Sequence, residues 1–106
     1  TQWPEREAYL MRDRNLLERF EAMGLTDCLI AKREPGRLSG CLCTYGDNCV
    51  HTRTRRHKPR PQVPYQTDYL FASRLMARHL LSCRALSTNE WFALSDHTPI
   101  LAQFEQ

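Results

Sequence analysis

The chain has 106 residues, of which 42% are hydrophobic and 25% are charged, and its formal net charge is +3. These are ordinary values for a globular protein, and a chain of this length supports one modest hydrophobic core. No apolar run approaches the roughly eighteen residues of a membrane-spanning helix, and the start shows no signal-peptide pattern. Five cysteines exclude a fully paired disulfide framework within one chain. We therefore expect an intracellular, cytoplasmic protein with no membrane segment.

The first part of the chain predicts a helix followed by a strand. Pro4, with acidic residues directly behind it, is typical of a helix start, and an apolar stripe at helical spacing continues to Met23. Gly24 fits the position just after a helix, where the backbone turns left-handed. A strand from about Leu25 to Ala31 is expected next, with Cys28 as a small core residue rather than a ligand.

Residues 32–64 predict a long loop, because glycines and prolines punctuate them and no periodicity is sustained. Inside this loop, Cys41-Leu42-Cys43 is followed by Cys49-Val50-His51. Thiolates and imidazole are the usual ligands of structural zinc, and two such pairs around a tight turn supply a tetrahedral set. The sequence therefore predicts a structural Zn2+ held by Cys41, Cys43, Cys49 and His51, with His57 as an alternative fourth ligand. Unligated thiols in a mobile loop, or a local disulfide such as Cys43 to Cys49, are the competing interpretations.

A cationic segment comes directly after the cysteines. Residues 53–60 contain five cationic side chains and no acid, and the rest of the chain is net negative without them. Concentrated positive charge attracts phosphate-bearing partners, of which nucleic acid is the commonest polyanion, although a solvated charged loop is the simpler alternative. Few aromatic residues lie nearby, so sequence-specific base recognition is not indicated. The predicted phosphate contacts are Arg53, Arg55, Arg56, Lys58 and Arg60.

The last third of the chain predicts short strands around one helix. The expected elements are a strand over 65–73, a helix over 74–80, a strand over 81–86 that places Cys83 in the core, and a final strand over 99–104. Asp68 lies inside the first of these strands, where an unpaired carboxylate would be costly. Its natural partner is a histidine ring, which a carboxylate orients and keeps in one tautomer.

Two segments together carry a resemblance to a known family. Thr67-Asp68-Tyr69-Leu70-Phe71-Ala72-Ser73 and Ser95-Asp96-His97-Thr98-Pro99-Ile100 resemble the C-terminal signature of the endonuclease/exonuclease/phosphatase superfamily. The resemblance covers roughly the last forty residues closely. It implies an α/β fold, namely the C-terminal part of a four-layer α/β sandwich with mixed or antiparallel strands and one or two helices. It also implies that Asp96 contributes to a Mg2+ (or Mn2+) site, that His97 contacts the scissile phosphate or activates water, and that Asp68 orients His97.

The N-terminal catalytic elements of that family do not occur here. They are an early Asn, a Glu on the following strand and a Gly-Asp-Phe-Asn segment. We therefore expect residues 1–106 to be a C-terminal fragment of the domain, inactive alone, whose partner is the missing N-terminal part. The expected activity of the whole domain is nuclease-type phosphodiester hydrolysis.

Other functions fit the same residues. A phosphomonoesterase or a lipid phosphodiesterase would use the same scaffold, and a non-catalytic, zinc-stapled basic binding module would explain the loop alone. Exposed sheet edges in such a fragment also predict self-association.

Overall fold

The computed structural model of the protein describes residues 15–106. This part of the chain is a mixed α/β fold with two separate two-stranded antiparallel sheets. The predicted α/β class is confirmed, with four helices among the described residues where one or two were expected, and the four-layer sandwich stays a prediction. The predicted start of the first helix at Pro4 lies outside the described residues. The elements are α1 (15–22), β1 (Leu25–Asp27), α2 (Cys28–Lys32), β2 (Phe71–Ser73), α3 (Arg74–Ala77), β3 (Leu80–Ala85), α4 (Asn89–Phe92) and β4 (Ile100–Phe104).

The first strand is shorter than the sequence predicted. Gly24 ends the preceding helix with φ 88, as expected, and β1 follows it. The predicted continuation to Ala31 is wrong, because the Asp27 carboxylate accepts hydrogen bonds from the backbone N–H groups of Leu29 (3.0 Å) and Ile30 (3.3 Å). This is helix N-capping, and it converts the rest of the predicted strand into α2.

The hydrophobic core lies between α2 and the β3–β4 hairpin. Its buried members are Cys28, Leu29, Leu80 and Cys83, and Cys28 is fully buried. Both cysteines that the sequence assigned to the core are therefore confirmed there, although Cys28 begins a helix instead of lying in a strand. Burial, followed by the proximity of Cys28 and Asp27, raises the pKa of the Cys83 thiol to about 11. Both thiols behave as small apolar side chains.

The two sheets have different sequence spans. In the hairpin Ala85 pairs with Ile100, whereas in the other sheet Leu25 pairs with Ser73. Of the predicted strand over 65–73, only β2 is present. The amides of residues 67 and 68 donate to the Thr54 hydroxyl and not to a neighbouring strand. The Ser73 hydroxyl accepts a hydrogen bond from the Met76 amide (3.1 Å), which confirms it as the cap of α3.

The long loop is also largely as predicted, with a single 3-10 turn, Gly46–Asn48, between residues 33 and 64. Within residues 15–106, every helix is too short or too polar to cross a membrane.

Candidate functional site

Three cysteines and a histidine converge inside the long loop. The Cys41 and Cys49 sulfurs are 3.9 Å apart, and the His51 Nδ1 atom lies 3.9 Å from the first and 3.4 Å from the second. The Cys43 sulfur completes a group whose ligand atoms all lie within 4.8 Å of one another. We call these four residues the cysteine–histidine cluster, and this group could bind a metal ion.

The spacing of these atoms suits a tetrahedral ion. With Zn–S distances of about 2.3 Å and Zn–N distances of about 2.0 Å, tetrahedral edges are about 3.8 Å between sulfurs and about 3.5 Å between sulfur and nitrogen. The three distances among Cys41, Cys49 and His51 lie within about 0.4 Å of these edges. All five cysteines are free thiols, so the alternative disulfide between Cys43 and Cys49 is not formed.

Backbone contacts hold the cluster in shape without regular secondary structure. The Arg37 guanidinium donates to the Cys41 carbonyl (3.0 Å from Nε), and the Arg33 guanidinium donates to the His51 carbonyl (3.2 Å from Nη2). Gly40 precedes the first ligand with φ 82, and a Cβ there would lie 2.6 Å from the Gln62 carbonyl oxygen. Only glycine fits that approach and that backbone conformation.

The electrostatic environment differs among the ligands. Burial raises the pKa of the Cys41 thiol, while burial followed by the nearby Arg33 charge lowers the pKa of His51 and favours its neutral, ligating form. For Cys43, slight burial acts to raise the pKa, but hydrogen bonds from the Tyr45 amide and from the neighbouring sulfurs lower it overall. Thiolate and neutral imidazole are the forms that bind a metal.

Asp68 and His97 form the second polar centre. The His97 Nδ1 atom lies 2.8 Å from the Asp68 Oδ2 atom, and the Thr67 hydroxyl donates to the same oxygen at 3.0 Å. The contact predicted from the sequence is therefore present, at the surface, with side chains 49% and 35% exposed for His97 and Asp68. Partial burial acts to raise the pKa of the Asp68 carboxyl, but the His97 hydrogen bond and then the Thr67 hydrogen bond lower it overall.

A buried threonine lies behind this pair. Thr54 is 0% exposed, and its hydroxyl oxygen accepts hydrogen bonds from the amides of Thr67 (2.9 Å) and Asp68 (3.2 Å). Its carbonyl accepts from the amide of Thr98 (2.9 Å), directly after His97. Thr54 therefore contacts both segments that carry the pair.

Asp96 is half-buried beside this pair. Its carbonyl oxygen accepts a hydrogen bond from the Arg56 amide (2.7 Å), which ties the Asp96 backbone to the cationic segment. In the part of the chain that the structure describes, the cysteine–histidine cluster is the one group of three or more potential metal ligands that gathers closely. Asp96 therefore belongs to no such group among the described residues.

The cationic segment is packed rather than freely solvated. The guanidinium carbons of Arg53 and Arg56 lie 5.1 Å and 5.7 Å from the centre of the Phe92 ring, which is buried. Arg55 forms backbone bridges with Tyr65 and His97. Lys58 and Arg60 are exposed, and His57, the alternative zinc ligand, instead packs on Tyr65 at 5.2 Å between ring centres.

Positive charge also extends beyond residues 53–60. A cavity of about 510 Å³ lies between α2, β3 and the long loop. Lys32, Arg33, Arg53 and Arg84 line it, against Glu34 as the one acidic residue in its wall. Three of these cations lie outside the segment that the sequence singled out, and folding brings them together.

Sequence reasoning missed Thr54, Arg33 and Gly40. The sole signal for Thr54 is the alternation of Thr52 and Thr54 in an otherwise charged run, which favours a short extended segment. Gly40 precedes the cysteines directly, but its approach to Gln62 depends on tertiary folding.

Comparison with known proteins gave no match to any family model, curated protein or solved structure.

Proposed function

We propose that this chain is the C-terminal part of a metal-dependent phosphoesterase domain of the four-layer sandwich type, whose reaction is nuclease-type hydrolysis of a phosphodiester. The observation that carries the proposal is the 2.8 Å contact between Asp68 and His97. These residues are far apart in the chain, and a carboxylate behind an imidazole is the arrangement that orients a histidine for proton transfer.

In this proposal Asp68 sets the tautomer of His97. With Nδ1–H donated to the Asp68 carboxylate, the Nε2 atom carries the free lone pair and faces outward from the pair. Because the His97 side chain is 49% exposed, a substrate phosphate or an attacking water can reach it. The lowered pKa of Asp68 keeps the carboxylate ionised at neutral pH, where it stabilises a protonated imidazole.

Mg2+ or Mn2+ in the complete domain would neutralise charge on the phosphate. Asp96 is the residue of this chain that would contribute to that site, and the remaining ligands would come from the upstream part of the domain. The same part would cover the strand edges that two-stranded sheets leave unpaired among residues 15–106, and without it self-association is expected. We also propose a cytoplasmic location, since free thiols are typical of reducing compartments.

The cations beside the pair support a polyanionic substrate. Arg56 contacts Asp96 through its backbone and packs on Phe92 through its side chain, so it is tied to the segment that carries His97. Lys58 and Arg60 are exposed, and the cavity around Arg53 and Arg84 adds further positive charge. An extended phosphodiester such as nucleic acid matches this spread of charge better than a single phosphate does. A phosphomonoester or a lipid phosphodiester is the second substrate class to test.

The test compares this chain with a protein that also contains the upstream part of the domain. We expect the 106-residue chain to hydrolyse neither single-stranded DNA nor a simple phosphodiester efficiently, and the longer protein to do so with Mg2+. His97→Ala in the longer protein should lower kcat by at least about 10²-fold, which is the usual size of a lost acid–base group. His79→Ala is the matched control, because His79 is exposed in the turn after α3.

Two outcomes would contradict the proposal. They are efficient hydrolysis by the 106-residue chain alone, and full activity of the longer His97→Ala protein. Preference for a phosphomonoester or a phospholipid headgroup over DNA would keep the reaction class and change the substrate. Binding of DNA with no hydrolysis by either protein would favour a basic binding module.

We also propose that the cysteine–histidine cluster binds one structural zinc ion. The support is the near-tetrahedral spacing of Cys41, Cys49 and His51, with Cys43 as the fourth donor. The residues between 33 and 64 carry a large ordering entropy, with Cys41, Cys49 and Val63 as their buried hydrophobic side chains. A bound ion would supply the missing stabilisation within the loop.

Metal analysis tests this second proposal. Protein purified without chelator should contain about one zinc per chain, and Cys43→Ser should reduce the content well below that value. Cys28→Ala, in the core, is the control that should keep the zinc. A zinc-free wild-type protein with the loop intact would show that the four side chains pack without a metal.

A further inference from the structure

One short segment connects the two polar centres of this protein. Residues 52–56 follow His51, the last ligand of the cysteine–histidine cluster, and then run between the segments that carry Asp68 and His97. Within this segment Arg55 makes an antiparallel bridge to Tyr65 on one side and to His97 on the other. The segment is therefore bridged on both sides, between the two halves of the pair, although it belongs to neither sheet.

Thr54 is the residue of this segment that fixes Asp68. Two successive backbone amides, those of Thr67 and Asp68, donate to its single hydroxyl oxygen. The position of the Asp68 backbone, and hence the reach of its carboxylate to His97, depends on that oxygen. Because Thr54 is fully buried, water has no access to replace it as the acceptor.

The connection from the cluster to Thr54 is short and firmly held. Only Thr52 and Arg53 separate His51 from Thr54, so a displacement of His51 reaches Thr54 through two residues. The Thr52 amide donates to the Gln66 side chain (3.0 Å), and the Ser87 hydroxyl donates to the Arg53 carbonyl. The first contact ties Thr52 to the segment that carries Asp68, and the second ties Arg53 to the residues that follow β3.

We propose that Thr54 is a positioning residue for the Asp68–His97 pair, and that a metal ion in the cysteine–histidine cluster holds Thr54 in register through Thr52 and Arg53. The part of this proposal that concerns the metal, which we call the metal arm, rests on the proposed zinc site. The catalytic role of the Asp68–His97 pair rests on the proposed hydrolase. The position of Asp68 can be measured whether or not the protein binds zinc or hydrolyses a phosphodiester. Loss of the metal would loosen His51, and the pair would lose its alignment although its own residues are unchanged.

The first experiment uses amide hydrogen exchange of the 106-residue chain, followed by NMR. Thr54→Val keeps the shape of the side chain and removes the acceptor, so exchange of the Thr67 and Asp68 amides should become at least about tenfold faster. Thr54→Ser should restore protection, because the hydroxyl returns. Thr88→Val is the control, since the Thr88 side chain makes no capping hydrogen bond at α4.

The second experiment tests the metal arm on the wild-type chain. After zinc content is measured, removal of the ion with a chelator should accelerate the same two amides, while amides of the β3–β4 hairpin keep their protection. Cys43→Ser should reproduce that result. If Thr54→Val fails to fold, the proposal is decided by this experiment together with the exchange rates of the Thr67 and Asp68 amides in Thr54→Ser.

Each result distinguishes the parts of the proposal. Unchanged exchange at Thr67 and Asp68 in Thr54→Val overturns the positioning role. Unchanged exchange on zinc removal, or a chain that binds no zinc at all, overturns the metal arm and leaves the hydrolase proposal as it was. In the longer active protein, Thr54→Val should lower kcat with little change in KM, as expected for misalignment of reacting groups rather than weaker substrate binding.

Discussion

All four side chains of the cysteine–histidine cluster come from residues 41–51, whereas Asp68 and His97 meet only because residues 52–56 lie between their segments. The cluster is therefore a local structure, and its geometry follows from one loop, Gly40 and two arginines. The pair is a non-local structure that depends on the packing of three segments. The local centre should tolerate distant changes, while the non-local centre should respond to changes anywhere along its supports.

The largest expected effect is on the order of the loop itself. Cys49→Ser removes a fully buried member of the cysteine–histidine cluster, so residues 53–60 should become accessible to trypsin at their arginines. We expect cleavage at least about tenfold faster than in the wild type, as for a segment that opens locally. Asp68→Asn should leave the cleavage rate unchanged. Comparable cleavage of both variants would break the distinction between the two centres.

Gly40 provides a sharper test of the local centre. Gly40→Ala introduces a Cβ at 2.6 Å from the Gln62 carbonyl oxygen and forces φ 82 on a residue with a side chain. The expected cost is about 1–3 kcal/mol of unfolding free energy, together with weaker zinc binding. Gly36→Ala is the matched control, because a Cβ there has no neighbour within 4 Å. Urea denaturation of both variants, with and without zinc, measures the difference.

The pair should contribute little to stability, and only when Asp68 is ionised. The pKa of the Asp68 carboxyl is lowered in the folded protein. The stabilisation is therefore present above the ordinary carboxyl pKa of about 3.9, and it is lost as the pH falls through the lowered pKa of the folded state. Both side chains are well exposed, which limits the contribution to about 0–1 kcal/mol. Urea denaturation of the wild-type and Asp68→Asn chains at pH 7 and pH 3 should show this loss in the Asp68 protein alone. Zinc release at low pH affects both chains equally, so it cancels in the difference between them.

The smallest expected effect separates the core cysteines from the cluster. The pKa of Cys83 is raised to about 11, so its alkylation should stay slow at pH 8 even without zinc, whereas the Cys43 thiol, with a lowered pKa, should react readily once zinc is removed. Because the pKa of Cys83 is raised in the folded state, the free energy of unfolding should also fall as the pH rises from about 9 towards 11. Mass spectrometry of alkylated peptides measures both rates. Equal reactivity of the two thiols would contradict the assignment.

What the sequence could predict follows the same division. The four cluster residues and the Asp68–His97 contact were identifiable, the first from spacing within one loop and the second from its resemblance to a family signature. The role of Thr54 could not be predicted, because nothing in the sequence distinguishes a buried threonine in a basic segment from an exposed one. The strand predicted to reach Ala31 failed at Asp27, where a side-chain cap outweighed the β propensity of the residues that follow.

The registers of the two sheets bear on the order in which the chain folds. The β3–β4 hairpin joins Ala85 to Ile100 across a connection that contains α4, while β1–β2 must bring Leu25 to Ser73 across the much longer irregular region. Closing the longer loop costs more entropy and contributes non-local contacts, which are associated with slow folding. The hairpin should therefore protect its amides first, and β1 should dock last. A nascent chain would pass through a state in which the core cysteines are still open to solvent, and pulse-labelling during refolding would detect that state.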